Sequence, residues 1–400
     1  MAGPPGGRKA GAGRQRTHGG GRAPRRAAGR PVSGRLAIHV GSREWGGAEQ
    51  ELARLAPALA ALGWDVRIYC NQPGHVARFA ARGVTAERLP LRGDVSLLDA
   101  LRFAGALRRL QPDVLLVGIF KKLWLAGLAA RLAGTPRVLV RVVLQTDVPR
   151  NRKYRFSLRH LVEGVVLNAY EQAAPFLALP GWDARRVHTI YNFYRPGPAG
   201  DLARVRAELG IPARAPVAGA VARLATQKRL DRLIEAIAPV PDMHCILAGD
   251  GPERARLEAL ALERGCAGRV HFLGQRDDVA DVLAALDVFV ICSDREGMSN
   301  AMLEALAAGV PVVSTPVSGA REALEPLADG SAPGLISGSD PGALRAAIER
   351  VVRDPERQCG MSEAARRRIR ERFDPDAVLA QWQQLLRGAP ARDAPAGETS

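Results

Sequence analysis

Two carboxylates, Glu296 and Glu304, stand with seven residues between them in the stretch Cys292-Ser-Asp-Arg-Glu-Gly-Met-Ser-Asn-Ala-Met-Leu-Glu304. With one on a loop and one inside the following helix, they are not placed like a metal-binding pair. An ionised carboxylate aimed at a diol accepts charge-assisted hydrogen bonds, which are stronger than neutral ones. Two cations, Arg223 and Lys228, lie five positions apart in Ala222-Arg-Leu-Ala-Thr-Gln-Lys228. That spacing around a helix start suits a diphosphate. Gly249 and Gly251 in Gly249-Asp-Gly-Pro252, and Gly274 beside Gln275, let backbone approach a ligand closely. The amides of Gly297, Met298, Ser299 and Asn300 feed into a helix N-terminus, where anions bind. Cations for a diphosphate, amides for its oxygens and a carboxylate for a ribose diol together describe a nucleotide-sugar site.

Positioning such groups requires that these loops leave one edge of one sheet. The apolar run Val288 to Cys292 reads as a buried parallel strand, and Gly309 and Pro311 separate the following helix from another strand. The same alternation runs back through Val270 to Leu273, His244 to Ala248 and Val217 to Val221. Open α/β sheets bind ligands at the carboxyl ends of their strands, so these loops converge. Earlier in the chain, strands are expected at Leu36 to Val40, Val66 to Cys70, Glu87 to Leu91, Val114 to Ile119, Val138 to Leu144, Val165 to Ala169 and Val187 to Asn192. Helices are expected at Glu49 to Leu62, Ser96 to Leu110 and Leu123 to Ala133. Strands alternating with helices mean a doubly wound parallel sheet, here twice, split at the Pro- and Gly-rich Arg195 to Gly200.

The expected organisation is a disordered basic tail over 1–34, a first Rossmann-like domain over 35–194 and a linker over 195–200. A second such domain follows over 201–373, then a terminal helix over 374–388 and a disordered tail over 389–400. Four hundred residues, 47% hydrophobic and 24% charged, are enough for two domains with real cores. No stretch reaches eighteen apolar residues, which excludes a membrane-spanning helix. Five scattered cysteines argue against both a disulfide framework and a metal cage. Nine of the basic residues behind the net charge of +16 fall between Met1 and Arg35, where there is no acid and no apolar segment of a signal peptide. The tail accounts for most of the excess charge, and no nucleic-acid-binding signature accompanies it.

The runs "ARLATQKRLDRLIEAI", "LAGDGPE", "VHFLGQ" and "SDREGMSNAMLEALAAGVPVV" resemble the retaining glycosyltransferases of family 4. The likeness covers about Arg35 to Arg387 and is strongest from Val217 to Glu322. It implies the α/β GT-B fold, two facing Rossmann-like domains of doubly wound parallel sheet, with a terminal helix crossing back to the first. It further implies that Arg223 and Lys228 bind the diphosphate, that Glu296 hydrogen-bonds the donor sugar, and that Glu304 binds the ribose. The nucleotide sugar is then a substrate, a UDP-sugar rather than a GDP-sugar, with no cofactor and no metal. Retention of configuration, with the leaving phosphate helping to take the acceptor's proton and no protein nucleophile, follows from the same likeness.

Two departures stand out. Where the family often has a His after the fourth strand, this chain reads Phe120-Lys121-Lys122, and Asn192-Phe193 replaces the usual Asn-Gly, implying a stiffer hinge. Asp374-Pro-Asp376 spells a metal motif but sits before the terminal helix, where it reads as a cap.

The acceptor, a saccharide or lipid-linked saccharide of the cell envelope or of extracellular polysaccharide, is expected against the first domain. Gly46, Gly47, Lys121 and Asp147 stand at its strand ends. Between Arg141 and His160, six Arg or Lys residues face Asp147 alone and alternate with Tyr154 and Phe156. That composition suits an anionic acceptor or the inner face of the cytoplasmic membrane, with the protein otherwise cytoplasmic. A nucleotide-sugar 2-epimerase shares the fold but lacks the Arg-Lys pair together with two glutamates in this spacing. A non-catalytic, membrane-associated nucleotide-sugar scaffold would release no nucleotide from a donor.

Overall fold

The computed structural model describes residues 33–93, 96–144 and 152–388, together with Met1 and Gly3. Most of the expected basic tail, the whole tail from 389, Arg150 and the acceptor-side candidate Asp147 therefore lie outside the described residues. Gly34, expected in the tail, already belongs to the first strand.

The first sheet comprises β1 (Gly34–Val40), β2 (Trp64–Cys70), β3 (Thr85–Arg88), β4 (Val114–Val117), β5 (Arg137–Val142), β6 (Gly164–Leu167) and β7 (Val187–Thr189), in the spatial order 3-2-1-4-5-6-7. The second comprises β8 (Val217–Val221), β9 (His244–Ala248), β10 (Val270–Gly274), β11 (Val288–Ile291), β12 (Val312–Ser314) and β13 (Gly334–Ile336), in the order 10-9-8-11-12-13. Every strand pair is parallel. Near-continuous runs such as Val-Leu-Leu-Val in β4 and Val-Phe-Val-Ile in β11 are wholly buried, because helices cover both faces of a parallel sheet.

Each order reverses once, between β1 and β4 in the first sheet and between β8 and β11 in the second. Such a switch point opens a crevice at the carboxyl edge. Gly46 and Gly47 follow β1, and Lys121 follows β4. Arg223 and Lys228 follow β8, and Glu296 follows β11. The residues singled out for chemistry thus flank the two crevices.

Several elements differ from expectation. The strand expected to reach Leu144 ends at Val142, and the one expected to reach Asn192 ends at Thr189, because the chain there turns toward the second sheet. The third strand begins earlier and stops at Arg88. The helix Pro73–Ala80, the edge strand β13 and the long helix Pro355–Arg372 had no sequence assignment.

The terminal helix, Pro375–Leu386, returns to the first sheet. Asp374 caps it by accepting from the Ala377 amide at 2.8 Å, and Asp376 pairs with Arg195 at 2.6 Å. Its last carbonyls, those of Leu385 and Leu386, accept from the Arg137 guanidinium of β5 at 2.9 and 2.8 Å. Trp382 is fully buried in a core that also contains Leu36 and Ile38 of β1 and Phe289 and Ile291 of β11. One hydrophobic core therefore joins the two sheets, while the outer face of each keeps a core of its own.

Candidate active site

The loop from Ser293 to Ser299 leaves β11 and starts the helix Asn300–Ala308, with Ser299 accepting from the Met302 amide at 3.3 Å as its cap. Glu296 is buried in this loop. Its Oε1 accepts from Ser293 Oγ at 2.8 Å and from the Lys228 ammonium. Lys228 comes from the short helical turn Thr226–Lys228 after β8, so the cation and the carboxylate meet directly over the β8/β11 switch point.

Glu304 is equally buried, about a turn further along its helix, and pairs with Arg54 of the first-domain helix Gly47–Ala61. Arg223 is about half exposed and pairs with Glu44, on the loop that follows β1. Two of the four charged candidates therefore reach across the cleft to the first domain. An exposed pair such as Arg223–Glu44 contributes little to stability, since water screens both charges.

Gly249 and Gly251 are packed closely against the chain itself. A Cβ on Gly249 would run into the Ala222 carbonyl, and one on Gly251 into the Leu224 carbonyl. The close approach these glycines allow is to the Arg223 loop, which their segment supports through the Leu224 amide bonded to the Asp250 carbonyl at 3.0 Å. Gly274 ends the edge strand β10 with φ of +67°, and its carbonyl accepts from the Gly249 amide at 2.7 Å. Gln275 is exposed just past that edge strand, which lies three strands from β11 and so about 14 Å away at ordinary strand spacing. The four loops share one sheet edge, but only those after β8 and β11 meet at the switch point.

Gly297 is pressed against the first domain. A Cβ there would collide with the Val143 carbonyl, the Asn168 side-chain oxygen and the Gln172 amide nitrogen. Met298 is buried in the shared core. The Asn300 side chain donates to the Gly47 carbonyl at 2.8 Å and accepts from Asn192 at 2.9 Å, and Asn192 also donates to the Met298 carbonyl at 3.0 Å. Asn192 in turn accepts from Arg141 at 3.2 Å, and Arg141, fully buried, is paired with Glu51. Burial lowers the Arg141 guanidinium from its ordinary value, and the Glu49 carboxylate pulls the other way.

Among the residues expected on the acceptor side, Gly46 donates its amide to Glu49 at 2.9 Å at the helix start. Lys121 is exposed beside Lys122, whose ammonium donates to the Gly93 carbonyl at 3.0 Å. Phe120, the first residue of the Phe120-Lys121-Lys122 stretch, is buried and stacks on Tyr154 with ring centroids 5.2 Å apart.

Residues 203–368 match the profile of the glycosyl transferases group 1, and residues 45–197 that of glycosyltransferase family 4. The lipopolysaccharide core biosynthesis glycosyltransferase LpsE of Rhizobium meliloti (strain 1021) is 32% identical over 348 residues, spanning 86% of this chain and 97% of that protein. The chain is a family 4 glycosyltransferase. LpsD of the same organism, another lipopolysaccharide core biosynthesis glycosyltransferase, is 30% identical over 87% of this chain and 96% of its own length. Among solved structures, Anabaena HepE in complex with UDP-glucose aligns with a TM-score of 0.77 at 20% identity, over 88% of this chain and 99% of that one. WaaG, a glycosyltransferase involved in lipopolysaccharide biosynthesis, aligns at 0.64 and 17%, over 88% and 100%. The fold is GT-B.

The sequence did not point to Arg54 or Glu51, and it marked Arg141 only as part of a basic run and Asn192 only as a hinge residue. Their partners lie tens to hundreds of positions away, so no local spacing marks them. In this glycosyltransferase the loop after β11 closes directly on the first domain, and Gly297→Ala tests whether turnover uses that contact. The expected outcome is a fall in kcat/KM of at least about tenfold, about 1.4 kcal/mol, with little change in the denaturation midpoint because each sheet keeps its own core. An unchanged rate would show that the loop does not meet this wall during turnover.

Proposed function

We propose that this glycosyltransferase is retaining and metal-independent, moving a sugar from a UDP-sugar to a hydroxyl of a saccharide or lipid-linked saccharide. Assembly of the lipopolysaccharide core is the process we assign to it. The observation that carries the chemistry is the meeting of Lys228 and Glu296 at the β8/β11 switch point, beside a helix N-terminus, with Arg223 on the same loop after β8. The names of LpsE and LpsD support the pathway, and the UDP-glucose bound to HepE supports the donor.

When the anomeric bond breaks, negative charge builds on the β-phosphate. Arg223, Lys228 and the Ser299–Asn300 helix start stabilise that charge, which is the work a metal ion would otherwise do. The diphosphate displaces Glu44 from Arg223 readily, because that pair is exposed. Glu296 is not placed as a nucleophile: Lys228 and Ser293 already hold its Oε1, so its remaining oxygen is suited to accept from the sugar's hydroxyls. A retaining glycosidase, by contrast, needs two carboxyls flanking the bond. Glu304 serves the ribose. The incoming hydroxyl approaches from the first domain, past Gly46, Gly47 and Lys121.

A membrane-side acceptor is favoured by the helix Arg152–His160. Arg152, Arg155, Phe156 and Arg159 line a groove of about 270 Å³ together with Leu179 and Trp182. Phe156 and Leu177 are about half exposed. Cations around exposed apolar side chains suit an anionic bilayer surface.

Arg223→Ala or Lys228→Ala is expected to lower kcat by at least about thirtyfold, about 2 kcal/mol, in a transfer assay with labelled donor. Glu304→Ala is expected to weaken uridine diphosphate binding, and Glu296→Ala to reduce turnover more than nucleotide affinity. Equal loss of nucleotide affinity in the two glutamate variants would contradict these roles.

Sedimentation with anionic and neutral vesicles checks the surface. Binding should require anionic lipid, fall steeply between low and physiological salt, and weaken on charge reversal at Arg152, Lys153 and Arg155. No sedimentation with either vesicle would make a soluble acceptor the better reading.

A further inference from the structure

The helix Gly47–Ala61 presents Gly47, Glu51 and Arg54 on one face, at spacings of four and three. All three are engaged. The Gly47 carbonyl takes Asn300, Glu51 takes Arg141, and Arg54 takes Glu304. The first-domain helix thus touches the donor helix at Asn300 and again one turn on, at Glu304.

Arg54 is held on a second side as well. Its guanidinium carbon lies 5.2 Å from the centroid of the Tyr194 ring, a cation–π contact that fixes the plane of the group. Burial raises the Tyr194 phenol above its ordinary value, and Glu304 adds to the shift, so the ring stays neutral beside the ion pair. Arg54 reaches Glu304 Oε1 through Nη2. Its other terminal nitrogen, Nη1, is buried and has no hydrogen-bond partner among the described residues. A buried donor without an acceptor is costly, and an oxygen brought by a ligand would relieve that cost. On Glu304 the oxygen that Arg54 engages is Oε1, which leaves Oε2 as the carboxylate's second acceptor. One ion pair thus holds an acceptor and a buried donor with no partner, which is the chemistry that complements a hydroxyl pair, in which one oxygen donates and its neighbour accepts.

We propose that Arg54 is a specificity-determining residue for the nucleoside half of the donor. It fixes the rotamer of Glu304 so that Oε2 accepts from one ribose hydroxyl, while Nη1 donates to the oxygen of the other. This rests on the reading of Glu304 as the ribose residue. It adds that recognition of the diol requires the two domains to be closed, because one half of the clamp belongs to each. Lysine cannot replace arginine here: an ammonium offers a point charge without the planar fork that serves Glu304 and the ribose together.

The test measures binding of UDP, 2′-deoxy-UDP, 3′-deoxy-UDP and inorganic pyrophosphate to the full chain, in wild type, Arg54→Gln, Arg54→Lys and Glu304→Gln. Wild type should prefer UDP to at least one deoxy analogue by about tenfold or more. In both Arg54 variants that ratio should fall toward one, with UDP affinity lowered by about tenfold and pyrophosphate affinity and thermal midpoint little changed. A merely structural Arg54 would weaken UDP and pyrophosphate alike and leave the ratio intact. If Glu304→Gln loses discrimination while both Arg54 variants keep it, the assignment of Arg54 is overturned and that of Glu304 stands. If Glu304→Gln also discriminates like wild type, the ribose reading of Glu304 fails, and Arg54 with it. Absence of UDP binding to the wild type would overturn both.

Discussion

The buried polar chain from Glu51 through Arg141 and Asn192 to Asn300 and the Met298 carbonyl is the constraint on which the site depends. Each member lies where water cannot serve it, so each needs its neighbour. Removing one partner of a buried ion pair leaves an uncompensated charge, at a cost of about 3–5 kcal/mol. The chain runs from a first-domain helix, through β5 and the segment after β7, to the start of the donor helix. It thereby holds the loop after β11 against the first domain, and Gly297, with no side chain, is what lets the loop come that close.

Closure brings two switch points face to face, and the charges between them are matched across the gap. Glu44 meets Arg223, and Arg54 meets Glu304, while Lys228 and Glu296 are matched within the second domain. On the proposed reading, the anionic phosphates of a nucleotide sugar take over the place of Glu44 on Arg223, while its ribose hydroxyls join the Arg54–Glu304 pair. Binding and closure then draw on the same side chains. The terminal helix, with Trp382 in the shared core and Arg137 on its last carbonyls, limits how the two sheets move relative to each other.

Much of this was legible in the sequence because parallel sheets leave local marks. Val217–Val221, His244–Ala248, Val288–Ile291 and Val312–Ser314 are continuous apolar runs bounded by Gly, Pro or charge, and all four strands occur where those runs predict. Because the strands are parallel, every following loop must emerge on one edge, which gathers Arg223, Lys228 and Glu296 from residues far apart. What spacing does not carry is strand order. The sequence placed Gln275 with the other loops, whereas β10 lies at the sheet edge. Nor does spacing reveal contacts over long separations: Arg54 reads as one more polar residue on an amphipathic helix until Glu304, 250 positions later, is seen beside it. The glycines at 249 and 251 show a third limit, since a sequence can demand close approach without saying whether a ligand or the chain itself approaches.

Where a nucleotide settles decides how these side chains work together. A crystal structure of the full chain with uridine diphosphate, grown in the presence of a chelator, is the most direct measurement. The diphosphate is predicted at the β8/β11 switch point on Arg223 and Lys228, with Glu44 displaced and the ribose on Glu304. A nucleotide bound elsewhere, a ribose that does not touch Glu304, or binding that appears only when a divalent metal is restored would contradict it.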